Sequence, residues 1–278
     1  MKILNWELFL EELVGENEIS NYQTYADGMA KSMDDKLFFV NSIDFDVIVD
    51  FGCANGIFLS KLQTMKPNVK IIGYDLDDVM LSKARVVLGE EALLTSSWDE
   101  VVEELSNYQS PLLNLSSVIH EVYSYSHSSV IKKFWEKQVF GGSFKWITIR
   151  DMIPSSDIHK NELENFRQDV KKVRKRANNY YLNDFEKRWG AIDDNYRTFC
   201  HFLLKYRYVD NWEREVNENY LPVSLETIKT KIPSSYSIEY EEDFIVPFIK
   251  DNVGKVFGVK ITHSTHVKMV LKNNNYKK

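Results

Sequence analysis

From Val47 to about Met152, short runs of aliphatic and β-branched residues alternate with segments whose apolar positions recur at helical spacing. VIVDF (47–51) leads into Ile57, Phe58, Leu62 and Met65, a helical pattern closed by Pro67. VKIIGYD (69–75) precedes Met80, Leu81, Ala84 and Leu88, with Gly89 just beyond. EALLT is a short third run before a helix over 98–106, and PLLNLSSVI (111–119) is a fourth. A helix over 126–140 and the run FKWITIRDM (144–152) complete the series. Apolar strands separated by helices predict βαβ units and a parallel sheet covered on both faces.

The alternation stops after Pro154. Residues 155–220 hold no convincing strand and read as helices rich in Lys, Arg and aromatics. From PVSLETIKTKI the alternation returns as a helix, a strand near 236–246 and a last strand near 266–272. The expected fold is therefore α/β: a seven-stranded, mostly parallel Rossmann-like sheet with helices on both faces, plus a helical insertion. The expected organisation is a helical lead-in over 1–40, a sheet domain over 41–154 and 221–278, and an insertion or lid over 155–220. Right-handed crossovers bring the C-terminal strand ends to one edge, where ligands bind.

Composition narrows the class. The 278 residues are 44% hydrophobic and 27% charged, with a formal net charge of −6, which argues against wholesale nucleic-acid binding. Two cysteines, Cys53 and Cys200, make neither a disulfide framework nor a four-ligand zinc site. The first residues are acidic and amphipathic, unlike a basic-then-apolar signal peptide, and no apolar run reaches membrane-spanning length. A cytoplasmic protein is expected.

The chemistry begins at VIVDFGCANGIF (47–58). A dinucleotide turn has the spacing G-x-G-x-x-G and brings a pyrophosphate onto a helix N-terminus. Here the spacing is Gly52-x-Ala54-x-Gly56, one residue shorter, and Asp50 stands before it. A carboxylate beside the turn suits a cationic ligand such as an amino group or a sulfonium. The Gly-Lys-Ser/Thr of a phosphate-binding loop is missing.

These residues resemble motif I of the class I S-adenosylmethionine (SAM)-dependent methyltransferases, D/E-x-G-x-G-x-G, with Ala54 at the middle glycine. The resemblance implies that Gly52, Cys53, Ala54 and Gly56 lie against the methionine moiety and that Asp50 orients its ammonium group. It implies that Asp75, 25 positions beyond Asp50 at the end of the second strand, takes the two ribose hydroxyls, with Leu76 against the adenine. A carboxylate matches two donors with two acceptor oxygens. The family often has an Asp after the third strand to bond the adenine amine; TSSWDE offers Ser97 and Trp98 instead, one as acceptor and one as stacking surface. The cofactor implied is S-adenosyl-L-methionine, and the class implied is a transferase.

The fourth run places His120 and Glu121 where the resemblance puts the transferring methyl. Methyl transfer is an in-line displacement that depends on alignment. An acceptor hydroxyl or ammonium must also lose a proton, which His120 has the intrinsic pKa to take, with Glu121 orienting the ring or acting itself. Tyr123, Arg150 and Asp151 are candidate substrate contacts, Arg150 and Asp151 otherwise being an exposed ion pair. The segment lacks the Asn/Asp/Ser-Pro-Pro-Tyr/Phe loop of amino-methylating DNA enzymes and the Pro-Cys of cytosine C5 methylation. His263 and His266, three apart without a nearby thiol or carboxylate, read as turn residues, and no metal is assigned.

Within the insertion, RQDVKKVRKR (167–176) carries six Lys/Arg, followed by Tyr180 and Tyr181, and Tyr196, Phe199, Leu203 and Tyr206 form a stripe at helical spacing. The stripe reads as a packing face. The expected activity is methyl transfer to an O or N nucleophile of a small-molecule acceptor held under the insertion. An RNA or nucleotide acceptor gripped by basic and aromatic residues is the alternative, and a non-catalytic SAM-binding partner subunit the other.

Overall fold

The computed structural model describes Met33 and residues 35–159 and 165–277. The chain divides into two units at Ser42 and Ile43. In the first, the described residues make a helical turn in which Leu37 N–H donates to Met33 C=O at 3.1 Å; most of the lead-in expected over 1–40 lies outside the described residues.

The second unit is built on one sheet of seven strands in the order β3-β2-β1-β4-β5-β7-β6. Its strands are β1 (Val47–Phe51), β2 (Lys70–Tyr74), β3 (Leu93–Thr95), β4 (Pro111–Ser116), β5 (Trp146–Asp151), β6 (Tyr236–Phe244) and β7 (His266–Asn273). The first five pair in parallel, and β7 inserts antiparallel between β5 and β6. This is the α/β, mostly parallel arrangement that the apolar runs imply.

Burial explains the order. All five residues of β1 are buried, as a central strand covered on both faces requires. The outer strands are blunted: β3 has three residues, and β6 exposes Glu239, Glu241, Glu242 and Asp243 along the edge. Short or charged edges resist pairing with another chain. On one face Val47, Val49 and Phe51 pack with Val101 and Leu105 of α3 (Trp98–Leu105), with Phe134 and Val139, and with Leu225 and Ile228. Toward the other, α1 (Ile57–Met65) buries Phe58, Leu59 and Leu62, and α2 (Asp78–Leu88) buries Leu81, Ala84 and Leu88. The α2 N-terminus is capped by the Asp77 carboxylate, which accepts from Val79 N and Met80 N, and its C-terminus by Gly89 at φ 73°.

Two boundaries differ from expectation. The fourth strand ends at Ser116 rather than at residue 119, and Ile119–Tyr125 is a helix, α4. Ser117 breaks the strand with a left-handed φ of 57°. The next helical segment is α5 (Ser128–Lys133), which continues as a π-helical turn, Phe134–Val139.

Between β5 and α10 (Leu225–Lys229) lie α6 (Phe166–Arg176), α7 (Asn179–Trp189), α8 (Tyr196–Lys205), a 3-10 segment (Tyr206–Asn211) and α9 (Trp212–Glu215). A second core gathers Val170, Val173, Phe185, Phe199, Phe202 and Leu203. It extends beyond these helices to Ile249, Val253 and Phe257 of α11 (Pro247–Phe257), which follows β6. The run of cations in α6 is partly neutralised: Lys172 pairs with Asp169 at 2.8 Å, and Arg174 with Glu186 and Asp193 at 2.6 Å each.

Candidate active site

The turn after β1 lies at the switch point of the sheet, where β1 has β2 on one side and β4 on the other. Ligands bind in the crevice outside such a point. Gly52 and Gly56 both adopt φ +77°, a conformation that disfavours side chains. A Cβ on Gly52 would meet Val118 Cγ2 at 2.9 Å, and one on Gly56 would meet Ala84 Cβ and Leu88 Cδ1 at 3.0 Å. Gly52 lets the turn pass close to the β4 loop, and Gly56 lets α1 pass close to α2. Ala54 between them is also left-handed, at φ 47°, and is exposed. A non-glycine residue in this region carries about 1–2 kcal/mol of strain.

What holds Ala54 there is Asp75. Its Oδ2 accepts from Ala54 N at 2.8 Å, and its Oδ1 accepts from Asp77 N at 2.9 Å. The carboxylate at the end of β2 thus reaches across to the first turn. Leu76 beside it is 77% exposed, an apolar side chain left bare at the same edge. Asp50 is buried, and its Oδ1 accepts from Asn114 Nδ2 at 2.7 Å, while Asn114 Oδ1 accepts from Thr148 Oγ1 at 2.9 Å. This chain of polar groups crosses β1, β4 and β5 beneath the edge.

Cys53 turns inward. Its Sγ lies 2.8 Å from where a Gly73 Cβ would stand, so the thiol fills the space that the glycine leaves. Burial, then the charges of Asp50 and Asp75, push the Cys53 thiol pKa well up, so it stays protonated. Ser97 caps α3, its Oγ accepting from Glu100 N at 3.4 Å. Trp98 packs on Phe51, Tyr74 and Phe144, with ring centroids 5.5, 5.2 and 6.2 Å away. The indole is partly buried and packs against the core through the aromatic ends of β1 and β2.

His120 lies in the first turn of α4, not on the strand, and is 5% exposed. Its Nδ1 bonds Asp151 Oδ1 at 2.7 Å. Asp151 is fully buried at the end of β5, where Oδ2 also accepts from Ile119 N at 2.6 Å and Oδ1 from Met152 N at 2.7 Å. One carboxylate therefore fixes both the start of α4 and the plane of the imidazole. Burial alone would raise the Asp151 pKa, but the His120 charge and hydrogen bond and the two backbone amides outweigh it and hold the carboxyl below its usual range. For His120, burial works downward and is outweighed by Asp151, then by Glu121 and Glu218, so the imidazole pKa is raised.

Asp151 and Arg150 are both buried, not an exposed ion pair, because β5 is covered by β4 and β7. Arg150 Nη1 donates to Ser117 Oγ at 3.3 Å, and Ser117 N–H donates to the Arg150 carbonyl at 2.8 Å, which together hold the strained Ser117. The ring is oriented by Asp151 rather than by Glu121, whose Oε1 instead accepts from Arg214 Nη2 at 3.2 Å. Tyr123 OH accepts from Trp135 Nε1 at 3.2 Å, and the residue lines a groove with Trp135, Phe140, Pro222 and Val223. His266 starts β7, buried and bonded through Nδ1 to Thr265 Oγ1 at 2.8 Å; His263 meets Thr262 Oγ1 at 3.3 Å.

Sequence reasoning missed the other half of this cluster. Glu218, just beyond α9, is 2% exposed and places Oε2 at 3.8 Å from His120 Nε2. Its Oε1 accepts from Arg214 Nε and from Tyr125 OH, each at 3.2 Å. Beneath it, Lys205 is fully buried and donates to the carbonyls of Glu215 and Glu218, with Tyr220 closing over the ammonium at 3.9 Å. Desolvation lowers the Lys205 pKa to about 7, against the pull of Glu218 and Glu215. Ser124 Oγ accepts from Asn219 N at 2.7 Å, tying α4 to the same segment. No sequence signal links residues 205–220 to His120; acidic residues there look like any solvated helix end.

No protein-family model matches the chain, and no curated protein matches it. Among solved structures it is similar to the methyltransferase domain of bacterial CtHen1-C, at 12% identity over 87% of this chain and 96% of that one, with a TM-score of 0.46. It is similar to the plantazolicin methyltransferase BamL in complex with a triazolic desmethylPZN analog and SAH, at 11% identity over 93% of this chain and 90% of that one, TM-score 0.46. An O-methyltransferase family protein from Burkholderia thailandensis is similar at 12% identity over 91% and 59%, TM-score 0.43. At this distance the fold assignment rests on the strand order itself.

Proposed function

We propose that this chain is a SAM-dependent methyltransferase of class I, with Asp50, Gly52, Cys53, Ala54, Gly56, Asp75 and Leu76 forming the cofactor cradle. The observation that carries the reading is the bond from Ala54 N to Asp75 Oδ2, which sets the turn and the carboxylate 2.8 Å apart beside the switch point. Asp75 keeps unused lone pairs for a ribose diol beside its two amide bonds, and exposed Leu76 offers an apolar surface to adenine. Asp50, buried under the turn, favours the ammonium of a methionine moiety over an anionic pyrophosphate. The positive-φ glycines allow the ligand to approach backbone rather than side chain.

The acceptor end of the cradle is formed by His120, Asp151, Glu121 and Glu218. Methyl transfer breaks the S–CH3 bond as the new bond to oxygen or nitrogen forms, so the chief task is alignment on a line through the methyl. His120 and Glu218 are nearly fully buried, which favours a small acceptor, or one projecting group of a larger molecule, over a duplex. The helices over 155–220, which deliver Glu218, act as the lid that selects it. The alternative, an RNA acceptor held by α6, has less support because Lys172 and Arg174 are spent on Asp169, Glu186 and Asp193.

Calorimetry tests the reading. SAM and S-adenosylhomocysteine (SAH) are expected to bind at one site per chain, and NADH and NADPH are not. Binding of a nicotinamide dinucleotide with no heat from SAH would reverse the assignment.

A further inference from the structure

Among the described residues, His120, Glu121 and Glu218 each offer a ligand atom, and these atoms all lie within 4.8 Å of one another. We propose that this cluster binds one first-row divalent cation, and that the cation holds the methyl acceptor; the second clause rests on the methyl-transfer reading.

Geometry and donor chemistry point the same way. Because His120 Nδ1 is committed to Asp151, Nε2 is turned away from that carboxylate and toward Glu218. Nε2 and Glu218 Oε2 face each other at 3.8 Å, both on nearly buried side chains. A divalent cation binding between them takes the place of a proton on the ring. The gap is too long for a direct hydrogen bond. An ion about 2.1 Å from each donor spans opposed donors about 4.2 Å apart, so shifts of a few tenths of an ångström close the site. Asp151 supplies the outer partner that metal-binding histidines characteristically have, a carboxylate accepting from the other ring nitrogen.

Arg214 does not occupy the position. It donates once to Glu121 Oε1 and once to Glu218 Oε1, leaving the second oxygen of each carboxylate for the ion. Glu121 and Glu218 thus bring two carboxylates to His120, with Arg214 on their outer oxygens. One imidazole and two carboxylates suit manganese, iron or zinc rather than a soft-metal site. Three protein ligands leave positions open for an acceptor oxygen or nitrogen. Coordination lowers the pKa of that group, whose proton leaves to solvent as its electron pair displaces SAH from the methyl carbon. His120 is then a ligand rather than the base expected from sequence.

The test uses the full chain, freed of metal by chelation and without SAM. Mn2+ is titrated and the free ion read by electron paramagnetic resonance. One ion per chain is expected, with Glu218→Gln and Glu121→Gln each weakening binding by about tenfold or more and Asp151→Asn by about 10- to 100-fold. Glu239→Gln on the exposed β6 edge is expected to leave binding unchanged. Circular dichroism confirms that each variant is folded, and Glu218→Asp is expected to retain more affinity than Glu218→Gln. Absence of stoichiometric binding at millimolar Mn2+ overturns the proposal, as does binding that Glu218→Gln and Glu121→Gln do not weaken. Because the titration contains no SAM, its failure leaves SAH calorimetry to decide the methyltransferase reading.

Discussion

The Asp75→Asn substitution separates the two tasks given to this carboxylate. In the free protein, Asp75 accepts from Ala54 N at 2.8 Å and from Asp77 N at 2.9 Å. Asparagine keeps the shape but turns one of the two oxygens into an NH2 donor, which confronts one of those amides. It also removes the negative charge that strengthens bonds from ribose hydroxyls. A hydrogen bond to a charged group contributes about 1.5–3 kcal/mol. Loss of one such bond in the complex corresponds to SAH binding about 10- to 150-fold weaker. Asp75 is half-exposed at the edge, so water replaces much of what the free protein loses and the melting temperature is expected to fall only slightly. Calorimetry with SAH, paired with thermal melts of the free protein, reads both. SAH affinity within twofold of the parent protein would show that Asp75 does not touch the ribose and would refute the cradle as drawn.

Four further substitutions probe the same edge and the core beneath the acceptor end. Gly73→Ala places a methyl 2.6 Å from Leu94 Cδ2 and 2.8 Å from Cys53 Sγ, an overpacking expected to destabilise by about 1–3 kcal/mol in urea unfolding. Adding Cys53→Ala is expected to recover part of that loss; strictly additive effects would mean that the thiol does not fill this space. Ala54→Gly removes a left-handed alanine and is expected to leave SAH affinity intact while stabilising the turn by up to about 1 kcal/mol, checked by the same unfolding curves. Lys205 has a folded pKa near 7 against an ordinary value of 10.5, so between those values the unfolded chain binds more protons and stability rises with pH. Relative to Lys205→Met, the parent protein is expected to gain up to about 1.4 kcal/mol per pH unit above pH 7, and parallel melting curves from pH 7 to 9.5 would contradict this.

Much of the sheet was legible because its strands are apolar on both faces and its helices start and stop on local signals, such as Asp77 at one end of α2 and Gly89 at the other. The sharp turn after β1 was legible because left-handed backbone selects glycine, and the chain shows that preference at Gly52 and Gly56. Ser117 hid the opposite case. A serine in left-handed geometry gives no sequence signal, so SSVI read as strand and His120 was placed on the wrong element. The His120–Asp151 bond joins residues 31 apart through the pairing of β4 with β5, and Glu218 reaches His120 from beyond α9. Contacts of that range depend on how two cores dock, which periodicity along the chain does not encode.

The most direct test of the central claim is a crystal structure of the chain with SAH. The expected complex lays the ligand across residues 52–56, with both ribose hydroxyls on Asp75, the amino group toward Asp50 and the sulfur facing His120 and Glu218. A ligand bound elsewhere, or one at the switch point that leaves Asp75 bonded only to Ala54 and Asp77, would contradict the account.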